Sequence, residues 1–284
     1  MLTIPGHDQA AGLRVAASRR SWSVAVTSGK GGVGKTSFAV NLALALAQSG
    51  QRTCLVDGDL GLANVDVLLN LRPQHSLRHV VTDGMLLDDV IVQGPAGLEV
   101  LPAASGVEAL ANLSAVRRRF LVDRLQQRSR QADITILDTG AGLSKTVLTF
   151  SLAADEVFVV TTPEPTALTD AYAMVKVLMQ RRPELPLCFV VNLAEHAAHA
   201  REVHGLLDRV IQRFLRREIP LAGWIPRDEC VARAVREQRP LMLYFPHTRA
   251  AGAIKRIAAR VRQGPTSEGR QGFWHRLIET SAAS

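Results

Sequence analysis

Short apolar runs rich in β-branched residues recur along the chain, at Val24–Thr27, Thr53–Val56, Ile134–Leu137, Val157–Thr161, Leu187–Val191 and Leu221–Ile225. Each has the length of a buried strand. The stretches between them read as helices, the first carrying Phe38, Leu42 and Leu46 at helical spacing. Apolar strands alternating with helices predict an α/β fold, a mainly parallel twisted sheet with helices on both faces. Residues 76–113 are less regular, with apolar pieces at Leu86–Val92 and Leu98–Leu101 and a turn at Pro102–Gly106. The pattern changes at both ends. Residues 1–20 are polar and alanine-rich; Asp8 can cap one turn, but Gly12 and the shortness oppose an isolated helix. Residues 263–271 read as a polar, glycine-containing linker. Beyond it Phe273, Trp274, Leu277 and Ile278 share one arc of roughly 140° at ~100° per residue, with His275, Arg276 and Glu279 opposite. The expected division is a segment 1–20, one domain over 21–263, and a linker with an amphipathic helix over 264–284.

Composition narrows this picture. A chain of 284 residues, 47% hydrophobic, can bury the core of one α/β domain without needing a second. No apolar run approaches the length of a membrane span and the N-terminus has no signal-peptide core, so a soluble cytoplasmic protein is expected. Cys54, Cys188 and Cys230 are isolated, which fits a reducing compartment and gives no support for zinc or an iron–sulfur cluster. The formal charge of +8 suits an anionic partner, membrane or nucleic acid, without choosing between them.

The chemistry concentrates after the first strand, where Gly29-Lys30-Gly31-Gly32-Val33-Gly34-Lys35-Thr36 matches G-x-x-x-x-G-K-[ST] and leads directly into a helix. Glycines let several backbone N–H groups face one anion, and the helix points its positive end at the same place. The backbone of Gly31, Gly32, Val33 and Gly34, with Lys35, Thr36 and Ser37, is expected to cradle the phosphates of a polyphosphate ligand. Lys35 reaches the β- and γ-phosphates and the Thr36 hydroxyl binds Mg²⁺. Lys30 sits at the mouth of the loop, away from this cradle, where it could serve a second subunit. Two further strands end in carboxylates: Thr53–Val56 in Asp57-Gly58-Asp59, and Ile134–Leu137 in Asp138. Strand carboxyl ends border the ligand crevice of a doubly wound sheet. Asp59 is placed to orient the attacking water, Asp57 to support the Mg²⁺ surroundings, and Asp138 to hold a metal-bound water. Asn192 ends another strand and could cap the helix after it. His196, His199 and His204 share a predicted helix, but no carboxylate or cysteine completes a metal set, so exposed histidines are expected. Arg117–Arg119 reads as a solvated helix face.

The loop Lys30–Thr36 resembles the deviant Walker A motif of the MinD/ParA/nitrogenase-iron-protein class. In that class the early lysine crosses a dimer interface to the partner's ATP, which makes nucleotide occupancy and dimerisation one event. Several segments are similar to the flagellar-number ATPases called FlhG, FleN or YlxH: Asp8-Gln9-Ala10-Ala11-Gly12-Leu13-Arg14, Asp57–Leu69, Gln93-Gly94-Pro95, Pro102–Gly106, Asp138–Gly142 and Glu164–Tyr172. Gly58 departs from the alanine often found there. The resemblance implies an ATP-dependent homodimer that hydrolyses ATP slowly and controls flagellar number or placement. It also implies that Asp8, Gln9, Leu13 and Arg14 engage an FlhF-type GTPase and stimulate it, that Asn192 reads the adenine edge, and that the loop with Pro226 and Asp228 packs against the base. A flagellar transcription activator or basal-body protein is a further implied partner.

The amphipathic arc of Phe273, Trp274, Leu277 and Ile278 can lie in a lipid interface or dock back onto the domain. Phe and Trp beside Arg favour lipid. One such tail binds weakly, whereas two on a dimer bind with avidity, so membrane attachment would follow ATP. This places the protein on the inner face of the cell membrane, at a pole in the flagellar reading. A ParA-like DNA-partitioning ATPase and division-site MinD are the alternatives. DNA is disfavoured because no DNA-reading motif is present and the aromatic tail would be unexplained.

Overall fold

In this computed structural model the described residues are 21–59, 64–103, 121, 124–125, 131–264 and 272–283. Eight strands form one sheet in the order β3-β4-β2-β5-β1-β6-β7-β8. They are β1 (Trp22–Ser28), β2 (Thr53–Gly58), β3 (Val92–Gln93), β4 (Glu99–Pro102), β5 (Ile134–Ala141), β6 (Glu156–Thr161), β7 (Leu187–Ala194) and β8 (Leu221–Pro226). All neighbours pair in parallel except β3, which runs antiparallel at the edge. Central strands such as β2 and β6 are buried along their whole length, as continuous apolar runs covered on both faces must be. The chain leaves β1 in one direction toward β2 and later returns to its other side at β6. The crevice for a ligand therefore opens at the carboxyl end of β1.

One face of the sheet is covered by α1 (Lys35–Gln48), which is buried along most of its length because its small alanines let it lie against the strands. The expected apolar piece Leu86–Val92 is not a strand throughout. Leu87–Asp89 forms a 3₁₀ turn and only Val92–Gln93 pairs, since Asp88 and Asp89 belong in solvent. Short helices α2 (Asn64–Leu69) and α3 (Leu77–Thr82) precede it.

The opposite face carries α4 (Lys145–Ala153), α5 (Pro165–Arg181) and α6 (Ala197–Leu215). Short helices α7 (Glu229–Arg236) and α8 (Leu241–Tyr244) then lead to α9 (Arg249–Arg262), which packs beside α1 on the first face of the sheet. His196 caps α6, and its ring accepts from His199 N. His204 does not stay on the exposed side: its ring is half-buried, its Nε2 lies 2.8 Å from the Ile219 carbonyl, and it meets Phe189 edge-on.

The last helix, α10 (Phe273–Ala283), lies on the domain. Phe273, Trp274, Leu277 and Ile278 are all at most 6% exposed and join the same core as α4. The two rings meet edge-on at 4.8 Å. Arg276 fixes the helix: it donates to the Ala153 carbonyl at 2.6 Å and pairs with buried Asp155 at 2.7 Å, whose other oxygen accepts from the Ser23 amide and hydroxyl. The sequence pattern favours lipid for this arc; here it docks. Burying four large apolar side chains contributes roughly 6–12 kcal/mol, and ordering the helix costs about 1 kcal/mol or more for each of its 11 residues. Apolar burial alone therefore does not outweigh the ordering cost, and the Arg276 contacts to Asp155 and Ala153 supply the remainder that holds the helix.

Candidate nucleotide-binding site

Parallel register builds the centre of the site. β2 and β5 pair so that Asp57 stands beside Asp138, and β1 places Val26 on the other side of Asp138. The loop after β1 then turns back over these strand ends. Gly32 and Gly34 have φ of 81° and 85°, and a Cβ at Gly34 would collide with the Asn192 side-chain amide, so glycine is required there on two counts. The Asn192 amide donates to the Val33 carbonyl at 2.8 Å, while its oxygen accepts from the Leu193 N–H. In this structure Asn192 braces the phosphate loop, a role that neither a capping nor a base-reading assignment contains.

The two loop lysines diverge. Lys35, at the start of α1, is buried and donates to Asp138 Oδ1 at 2.9 Å and to Thr36 Oγ1 at 3.1 Å. Lys30 points outward and is held by Glu164 Oε2 and Thr166 Oγ1, each at 2.9 Å. Asp138 is wholly buried and its Oδ2 has no hydrogen-bond partner. Burial pushes its carboxyl up, against the pull of Lys35. Asp57 is raised to about 7, first by burial and then by Asp138. Its surroundings show why: it lines a cavity of about 40 Å³ whose other walls are Asp66 and the apolar Leu71, Pro73, Val92, Val100 and Pro102. Asp59 donates its N–H to Asp57 Oδ1 at 3.2 Å, and its carboxylate reaches over Gly140 at the end of β5. Gly58 between them is demanded by packing. A Cβ there would lie 2.8 Å from the ring of buried Phe150 and 3.0 Å from the Asp138 carbonyl.

Asp138 pairs with the one buried ammonium, and Asp57 and Asp59 lie close to Asp138, beside a cradle of backbone N–H groups. Surplus negative charge and the orphaned Asp138 oxygen fit a divalent cation. The glycine cradle and Lys35 fit the phosphates it would accompany. Among the described residues no group of three or more His, Cys, Asp or Glu forms an all-protein cage. Mg²⁺ needs none, because it is usually held by one or two protein groups together with phosphate and water.

Two of the remaining expected residues lie at the end of β8 and just after it, and others lie outside the described residues. The Asp228 carboxylate caps α7 through Cys230 N at 2.9 Å and reaches Ala250 N at 3.3 Å, tying α7 to α9. Pro226 ends β8, paired with Ala194. Asp8, Gln9, Leu13 and Arg14 lie outside the described residues, as do Leu60–Ala63 and Arg117–Arg119.

A strand, a phosphate loop and a helix, with carboxylates at the adjacent strand ends, define a P-loop nucleotide-binding fold. The family model described as "ParA: NUBPL iron-transfer P-loop NTPase" matches residues 20–262. The chain is 40% identical over 263 residues to the antiactivator FleN of Pseudomonas aeruginosa, covering 91% of this chain and 94% of that protein. It is 31% identical over 264 residues to the flagellum site-determining protein YlxH of Helicobacter pylori, covering 90% and 89%. Among solved structures, the septum site-determining protein MinD of Pyrococcus horikoshii, complexed with Mg-ADP, superposes with a TM-score of 0.68 at 25% identity, covering 87% of this chain and 99% of that one. The chain belongs to the ParA/MinD family of P-loop NTPases.

Proposed function

We propose that this protein is an ATP-dependent dimerising switch that hydrolyses ATP slowly and governs flagellar number or placement at the membrane. The observation that carries the switch is the divergence of the two loop lysines. Lys35 serves its own site from inside, while Lys30 is presented outward beside the start of α5. A lysine so placed can balance charge on a triphosphate held by a second copy. The flagellar part rests on likeness to FleN and YlxH.

In this reading Lys35 and the loop amides bind the β- and γ-phosphates, and Thr36 and Asp138, supported by Asp57, hold Mg²⁺. The metal, when bound, offsets charge on the phosphate oxygens. Asp59 orients water for in-line attack, and hydrolysis resets the dimer. The docked α10 gives the membrane step a concrete form. The face suited to lipid is buried in the single chain, so attachment to an anionic membrane requires the helix to leave the groove beside α4. Two freed helices on one dimer then bind with avidity. Residues 1–20 are assigned to an FlhF-type GTPase, and a flagellar transcription activator or basal-body protein is the downstream partner.

The test is Asp59→Ala. It should bind ATP, fail to release phosphate, accumulate as dimer and co-float with liposomes containing anionic lipid. A monomer with ATP, or flotation independent of nucleotide, contradicts the reading. Co-sedimentation with DNA in place of liposomes would favour partitioning instead.

A further inference from the structure

In the switch reading Lys30 acts in a partner's site, so its ammonium must be in place when the two copies meet. Resting on that reading, we propose that Glu164 and Thr166 are positioning residues that seat the Lys30 ammonium on the dimer face before the partner arrives. An ammonium has three N–H donors. Two are taken, by Glu164 Oε2 and Thr166 Oγ1 at 2.9 Å each, which leaves one for a phosphate oxygen without breaking the seat. The backbone is pinned as well: the Lys30 carbonyl accepts from Ser28 Oγ at 2.9 Å. Just before it, Gly29 packs so closely on the backbone of Asp170 in α5 that a Cβ would collide with that carbonyl. The loop mouth and the first turns of α5 are one unit, and Lys30 is held at both ends of its side chain.

The seat is open to a partner, with the side chains of Lys30 and Glu164 37% and 63% exposed. An ion pair this exposed adds little to the stability of the single chain. Its use lies in ordering. Lysine is among the side chains with most rotamer freedom to lose, and a dimer uses two of them. Without the seats, both lysines must be ordered on association, which weakens the dimer about 5- to 150-fold.

The experiment measures the dimer dissociation constant by sedimentation equilibrium, on full chain carrying Asp59→Ala and saturated with Mg-ATP. Adding Glu164→Ala with Thr166→Val should weaken the dimer within that range. Glu164→Gln, which keeps an oxygen at the same reach, should recover part of the loss. The melting temperature and the monomer's affinity for a fluorescent ATP analogue should stay unchanged. An unchanged or tighter dimer overturns the proposal, the latter by making the pair a latch that releases. A loss matched by lower melting temperature and lower ATP affinity also overturns it, as a purely structural effect. Lys30→Ala separates the two levels: if it dimerises like its parent, the switch reading fails; if it weakens the dimer while the seat variants do not, only the seat fails.

Discussion

Replacing Asp57 by Asn tests the electrostatics of the site directly. Asp57 is buried between an apolar cavity and three other carboxylates, which raises it from 3.8 to about 7. Between those values the folded chain holds a proton that the unfolded chain has released, so stability falls as pH rises through the window and levels off above about 7. At pH 4 Asn replaces a neutral acid of the same shape and can still accept from the Asp59 N–H, so little should change. At pH 8 it removes a charge the fold must otherwise keep buried. A shift of roughly three units at ~1.4 kcal/mol each sets an upper limit near 4 kcal/mol, and a gain on the order of 2–4 kcal/mol is expected. The assay is urea unfolding of nucleotide-free wild type and Asp57→Asn, with EDTA, at steps from pH 4 to pH 8. The variant's advantage should grow with pH and then flatten. A constant difference, or one that grows toward acid, would refute the assigned environment of Asp57.

Other outcomes depend on particular contacts. Arg276→Ala strips the ion pair from buried Asp155 and the bond to Ala153, costing about 3 kcal/mol; α10 should loosen, seen as faster proteolysis between residues 262 and 272 and liposome binding without ATP, whereas unchanged cleavage would mean that the apolar contacts alone hold it. Gly58→Ala should destabilise the fold by about 1–3 kcal/mol, since its Cβ meets the Phe150 ring; Phe150→Leu in the same chain should restore part of the loss, and a neutral Gly58→Ala in urea unfolding would contradict the packing. Cys188 is pushed up to about 12 by burial and by Glu156, and Cys54 is buried, so thiol titration of the native protein at pH 8 should modify Cys230 well before either. Rapid labelling of Cys188 would mean that the network with Glu156 and Arg260 opens in solution.

The order of elements was legible because buried parallel strands are continuous apolar runs and the phosphate loop is a fixed string of residues. The carboxylates were legible for a related reason: Asp57 and Asp138 each stop an apolar run, and parallel pairing then sets them side by side. The brace from Asn192 to the loop was not, because it depends on how β7 stands relative to the loop, 159 residues away in sequence. The seat of Lys30 is hidden in the same way, with partners 134 and 136 residues on. In the tail, periodicity identified the apolar arc and its aromatic residues beside Arg favoured lipid, but a groove beside α4 and a lipid surface ask for the same side chains, and the arc docks. Ion pairing of Arg276 with Asp155 tips that choice in the single chain.

The central claim is that nucleotide joins two copies through Lys30. Sedimentation of the wild-type chain with excess magnesium and a non-hydrolysable ATP analogue tests it most directly. The account predicts a shift from the monomer mass of 30.8 kDa to twice that value, absent with ADP and absent in Lys30→Ala. A wild-type chain that remains at 30.8 kDa with the analogue bound would contradict it.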